Sequence, residues 1–364
     1  MKKNNVLIIL AMMLAMVTSC SKKVDKASDE KTLEIALNGD GTATSFADLV
    51  NPVEFVTIEA TDSCLLKQVS KVVETENAYY LMDPSGIHPL VKTTKDGKFI
   101  KQIGDKGNGP GEYLALFDIA VPSGGKVYAC TSPSLVAEYD NEGNFVRQTH
   151  VSDTVALMSL VPVNHTILMG GKYNTPNSNQ LVAFSEDFQQ KGAWCHVDNG
   201  FVPPLCELLK GDLTSGFYLD WYNNRIYIYD DEANEAHPFM NFTINNDAKS
   251  NNITSAMEFM SMQQELGFIL NWGVNKSNVI VEYVINGEPN ILVVDRENNE
   301  VRYNGKYDDY FPDMFISKTG NEFISIITVD NYEFYKNNLP QNCGMPDFDD
   351  ENTNVILMKW SVKK

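Results

Sequence analysis

Short runs of β-branched and aromatic residues recur along the chain, at 78–82, 126–130, 225–229, 278–285 and 355–360, and polar turn residues separate them. Runs of this length bounded by Gly, Asn, Asp and Pro predict strands. Long amphipathic helical patterns are missing. The single helical candidate, residues 255–266, would place Met257, Met260 and Leu266 on one face, and it reads equally as a loop. The pattern therefore predicts an all-β chain.

The strands also repeat. Leu90-Val91-Lys92 leads through Lys95-Asp96-Gly97-Lys98 to Phe99-Ile100, and Val136-Ala137-Glu138 leads through Asn141-Glu142-Gly143-Asn144 to Phe145-Val146, 46 positions further on. Each copy is two strands joined by a tight turn in which Gly supplies a positive φ. Weaker echoes stand at Leu181-Val182-Ala183-Phe184-Ser185 and Ile291-Leu292-Val293-Val294-Asp295. A repeat of about 40–50 residues predicts propeller blades, four-stranded sheets that bury their faces only by closing a ring. Six fit, centred near Tyr80, Tyr128, Leu168, Tyr227, Val281 and Ile326, with the first and last strands sharing a blade.

Ahead of the repeats, Lys2 and Lys3 precede an unbroken apolar run at 6–17, the layout of a signal peptide. A run of about a dozen residues falls short of the roughly 20 that a spanning helix needs. Val17-Thr18-Ser19-Cys20 resembles the lipobox cut by signal peptidase II, which implies cleavage after residue 19 and a lipid on Cys20; an ordinary secretory peptide with an incidental Cys is the other reading. Residues 20–31, polar and rich in Lys, Asp and Ser, then form a flexible tether, and residues 32–364 form the propeller domain. Ser21 differs from the Asp that resembles an inner-membrane retention signal, so the expected location is the cell envelope, lipid-anchored at the outer membrane, with the leaflet open.

Hydrophobic residues make up 43% of the 364 and aromatics 10%, enough for a globular core. The net charge is -19, from 29 basic and 48 acidic side chains, and loss of Lys2 and Lys3 takes it to -21. Nucleic acid is excluded as an expected partner, since binding it requires cationic patches. Beyond Cys20 stand Cys64, Cys130, Cys195, Cys206 and Cys343, an odd number without metal-ligand spacing. Buried thiols are the default reading; Cys195 with Cys206 is the one pair close enough in sequence to suggest a bridge.

The run Ile103-Gly104-Asp105-Lys106-Gly107-Asn108-Gly109-Pro110-Gly111-Glu112-Tyr113 resembles the signature of the six-bladed β-propeller lipoproteins of gut-type anaerobes, an NHL-like propeller family. Residues 53–59 resemble that family's opening strand, 96–100 its outer hairpin and 126–128 the inner strand of its next blade. The resemblance covers about 50–150 and implies a fold, with the family's activity largely unknown. Gly104, Gly107, Gly109 and Gly111 look superficially like a phosphate loop, but Pro110 removes an amide donor and no Lys-Ser or Lys-Thr follows. The loop reads as a crossover between blades, with Glu112 directed either into the central funnel or onto neighbouring amides and Tyr113 leading toward the next strand.

Catalytic signals are thin. His88, His150, His165, His196 and His237 are scattered, no hydrolase elbow is present, and the neighbours Cys195 and His196 are not built like a catalytic pair. No cofactor is called for. Calcium is the one ion that the acidic clusters could serve, at 230–232, at Asp308 and Asp309 with Asp313, and at Asp347 with 349–351, although solvated loops explain them equally. The aromatic stretch 217–222 reads as core before it reads as a sugar platform. Two functions stay open: a binding or scaffold module for a glycan, a peptide or an envelope protein, which is preferred, and a lactonase-, hydrolase- or lyase-like enzyme with its site in the funnel. Acidic or histidine side chains from three or more blades meeting at the funnel mouth favour the enzyme; a lining of hydrophobic and unpaired polar groups favours binding.

Overall fold

The computed structural model describes residues 32–171, 177–197, 206–307 and 311–363. The signal peptide, Cys20 and the tether lie outside them, as do Asp308 and Asp309. The described residues form six sheets of four or five strands, each a propeller blade.

Blade one comprises Lys71–Glu74, Ala78–Met82, Leu90–Thr94 and Phe99–Gln102, from the innermost strand outward. Blade two runs from Asp118–Ala120 to Phe145–His150, blade three from Leu157–Val163 to Gln190–Val197, and blade four from Leu209–Gly211 to Glu235–Ile244. Blade five runs from Phe268–Val274 to Glu300–Tyr307, and blade six comprises Phe315–Ile316, Phe323–Ile327, Thr353–Val362 and, outermost, Val50–Glu59. Every centre expected from the sequence falls on a middle strand of its blade.

Alternation of side chains explains the packing. In Ala78–Met82 all five residues are buried, but Ala78, Tyr80 and Met82 join the cluster shared with blade two while Tyr79 and Leu81 join the cluster shared with blade six. A strand sandwiched in this way must be apolar on both sides, so it reads as a continuous run. In blade two, Val127 and Ala129 face blade one while Tyr128 and Cys130 face blade three.

The N-terminal segment fastens the ring at three places. Strand β1 (Leu33–Leu37) adds to the outer edge of blade four, parallel to Glu235–Ile244, and buries Ile35 and Leu37. Strand β2 (Gly41–Thr44) adds in the same way to blade five. A short helix, α1 (Phe46–Leu49), capped by Ser45, then leads into β3 (Val50–Glu59). β3 is the outer strand of blade six, antiparallel to Thr353–Val362, and so closes the ring. The two extra edge strands were not foreseen from the sequence.

The helical candidate becomes α2 (Ala256–Met262), with Ser255 accepting a hydrogen bond from the Glu258 amide. Its inward residue is Phe259, packed edge-on against Trp221 and Phe268, whereas Met257 and Met260 are 81% and 68% exposed. The expected shared face of Met257, Met260 and Leu266 is thereby corrected, since Leu266 is buried. A third helix, α3 (Tyr332–Asn338), lies in the insertion of blade six.

The 195–206 bridge is also overturned. Cys195 is buried on the outer strand of blade three, Cys206 lies ahead of the inner strand of blade four, and both are free thiols.

Candidate functional site

Strands alternate in direction, so the connections between second and third strands and those from blade to blade cross the same face of the disk. The inner strands start at that face, and their first residues ring a funnel. Two adjoining cavities of about 410 and 480 Å³ form its mouth and share Ser70, Cys206 and Glu207. Deeper along the inner strands the space narrows to about 80 Å³.

Lys71 and Asp118 lie on one side of the mouth. The Lys71 ammonium lies 2.5 Å from Asp118 and 3.3 Å from Glu207. Burial opposes the ammonium, but these two carboxylates outweigh it and hold Lys71 above its ordinary value. Burial pushes Asp118 up to about 6, against the pull of Lys71. Asp118 Oδ2 also accepts the Leu160 amide at 2.6 Å, which ties blade two to blade three.

The larger cavity has a different balance. Glu282 of blade five and Asp313, just ahead of blade six, line it with Lys210, Asn271, Phe311 and Phe315. Burial lifts the Glu282 carboxyl to about 7, with no cation among the described residues drawing it down. Asp313 is open to the water of the funnel, yet the protein around it raises its carboxyl, with Lys210 pulling the other way. Neither carboxylate has a hydrogen-bond partner among the described residues. Lys210 is itself buried, with its ammonium 3.4 Å from the Met314 carbonyl oxygen. The mouth as a whole sets four carboxylates against two ammonium groups.

Glu74, at the narrow end, is by contrast fully committed. Lys95 and Lys359 pair with it and the Lys318 amide donates to it at 2.9 Å, joining blades one and six.

The glycine-rich loop lies away from these cavities. Asp105–Lys106 and Glu112–Tyr113 pair as a two-stranded parallel ribbon. Glu112 accepts the Gly109 amide at 2.8 Å, one of the two roles expected for it, while the buried Tyr113 hydroxyl donates to the Ile103 carbonyl at 2.9 Å. Gly104 and Gly111 have positive φ, and an added Cβ would stand 2.4 Å from the Tyr113 ring at the first and 2.7 Å from the Phe145 Cβ at the second. Gly107 packs on the Glu112 carboxylate, and Pro110 lies between the two arms of the ribbon.

The other sequence candidates disperse. Asp231 accepts hydrogen bonds from Asn164 at 3.1 Å and Thr166 at 2.6 Å, joining blades three and four. Asp349 caps a local turn through Asn352. The stretch 217–222 is core, with Phe217, Tyr218, Leu219 and Trp221 buried. Among the described residues no three His, Cys, Asp or Glu side chains are grouped to hold a metal ion. Of the funnel residues, the sequence had singled out only Asp313 and Cys206, each for another reason.

The fold defines a six-bladed β-propeller with an acidic axial funnel. Residues 31–359 match the family described as "Domain of unknown function (DUF4934)", and the chain belongs to that family. A Bacteroides fragilis structure described as a "Putative exported protein" superposes with a TM-score of 0.69 at 16% identity, over 92% of this chain and 100% of the other. That likeness shows the propeller fold. A streptogramin B lyase (TM-score 0.45, 8% identity, 80% and 78% covered) and BamB from Moraxella catarrhalis (0.39, 10%, 70% and 66%) are more distant and carry no argument. No curated protein matches.

Proposed function

We propose that this protein is an exported lipoprotein of the outer membrane, anchored through Cys20, whose propeller binds a polar ligand in the mouth of the funnel. The ligand classes are those expected above: a glycan, a peptide or a segment of an envelope protein. One observation carries the reading. Glu282 and Asp313 line a cavity of about 480 Å³ whose walls mix polar and apolar side chains, and neither carboxylate is hydrogen-bonded among the described residues. Glu282 is half-buried without a partner, which is costly for its carboxylate, and a ligand that supplies donors or positive charge to it and to the exposed Asp313 lowers that cost. Asp118 and Glu207 are satisfied by Lys71 and serve as scaffold.

The test is a thermal-shift screen of the purified chain against glycan and peptide panels, repeated with Glu282→Gln and Asp313→Asn. A stabilising ligand whose shift vanishes in both variants supports the reading. A ligand whose shift survives in both places the site elsewhere.

A funnel enzyme is the second reading. It is favoured by carboxylates from four blades at one mouth, with Glu282 raised to about 7, in the range of a general acid. Turnover of lactones or glycans that Glu282→Gln abolishes would establish it.

A further inference from the structure

The exposed apolar side chains are not spread evenly over the disk. Leu65, Ile87, Leu114, Phe117, Met257 and Met260 are each 36–81% exposed, and all six lie on connections that cross the face of the funnel mouth. The exposed apolar residues that lie on strands, Val53, Ile100, Val146 and Val301, belong to the fourth strands of their blades, counted from the axis. Among the described residues, the turns of the opposite face carry no large exposed apolar side chain. Phe117 also lines the mouth beside Leu116 and Pro84, so the apolar surface continues into the funnel. Apolar side chains set on one face in this way offer contacts to a ligand that crosses it.

We infer that this face docks an extended polypeptide segment, which lays apolar side chains on the loop residues and sends one lysine or arginine side chain into the funnel to meet Glu282 and Asp313. The inference rests on the funnel reading above and narrows its ligand. Charge selects the occupant: the mouth holds four carboxylates against two ammonium groups, and Lys71 already serves two of the four. A neutral glycan would leave the excess uncompensated, and an anionic membrane would meet a chain of charge -19. A lysine or arginine stem matches the walls formed by Leu270, Phe311 and Phe315 while its head reaches the acids.

The experiment is fluorescence anisotropy on the purified chain with a set of short labelled peptides, each holding one central lysine among leucine and phenylalanine, and with the same peptides acetylated on that lysine. Neutral oligosaccharides and vesicles of anionic lipid serve as the other arms. The expected result is binding of some lysine peptides that weakens about tenfold or more on acetylation. The same loss is expected with Glu282→Gln and Asp313→Asn, and Phe117→Ala weakens binding without removing its dependence on the lysine. Equal binding of the acetylated peptides, or binding of vesicles in their place, overturns the inference. Oligosaccharide binding lost in Glu282→Gln overturns the peptide and keeps the funnel; no funnel-dependent binding in any arm overturns both.

Discussion

Lys71 and Asp118 form a 2.5 Å ion pair between the inner strands of blades one and two, with 12% and 4% of their side chains exposed. The pair sits at the axis, where removing one charge strands the other. Lys71→Met is expected to destabilise the fold by about 3–5 kcal/mol, and Lys71→Met with Asp118→Asn, which removes the charge and keeps an acceptor for the Leu160 amide, to recover most of that loss. Urea denaturation of the single and double variants checks it. Equal losses in the two would show that the pair does not act as a unit.

Outer hairpins lock neighbouring blades through glycine. Gly97 has φ +85°, and a Cβ there would stand 1.9 Å from the Thr57 carbonyl oxygen of β3. Gly124 has φ +102° with nothing within 4 Å. Gly97→Ala carries both strain and a backbone clash at the closing strand, and Gly124→Ala strain alone. The expected loss is about 1–3 kcal/mol or more for the first and the lower end of that range for the second. Thermal melts of the two variants decide the order.

The same hairpins show why the repeat was legible in the first half of the chain and faded later. Blades one and two place Gly97 and Gly143 at the positive-φ position of the outer turn; blades three, four and five use Phe188, Asn234 and Asn299. Asn tolerates the left-handed region and Phe188 is held there by packing on Tyr128, so the backbone repeats where the residue type does not. The funnel was illegible for a related reason. Lys71, Glu207 and Glu282 stand far apart in sequence, each within or just ahead of a different blade, and only ring closure brings them to one mouth. β1 and β2 are illegible in the sequence because each is a short edge strand whose pairing depends on a blade more than two hundred residues away.

The N-terminal strap has separable parts. A chain that begins at Phe46 loses β1 and β2 and uncovers the edges of blades four and five, but it keeps β3. It is expected to fold with a lower melting temperature, whereas a chain that begins at Ala60 cannot close blade six and is expected to be insoluble or molten. Near-UV circular dichroism distinguishes the two.

Glu282 links the site to pH. Cys206, Glu207, Lys210 and Asp313 line the cavity with it. Its folded value of about 7 exceeds its ordinary value of 4.5, so the folded state binds the extra proton between these limits and stability falls as pH rises through that window. Glu282→Gln is expected to stabilise the free protein at pH 8, by up to about 3 kcal/mol, and to leave it unchanged at pH 4. A cationic ligand favours the ionised form, so its affinity for the native protein rises from pH 6 to 8 and stays flat in the variant. Denaturation and titration at these pH values supply the check.

Ser70 is the residue on which the central claim turns, because it is exposed and lines both cavities of the mouth. Ser70→Trp would fill the mouth and leave Glu282 and Asp313 in place. The decisive measurement is calorimetric titration of a ligand found in the screens into this variant, with its melting temperature as a control on the fold. If the funnel is the binding site, the melting temperature is preserved and binding is lost; undiminished binding in a folded Ser70→Trp protein would contradict it.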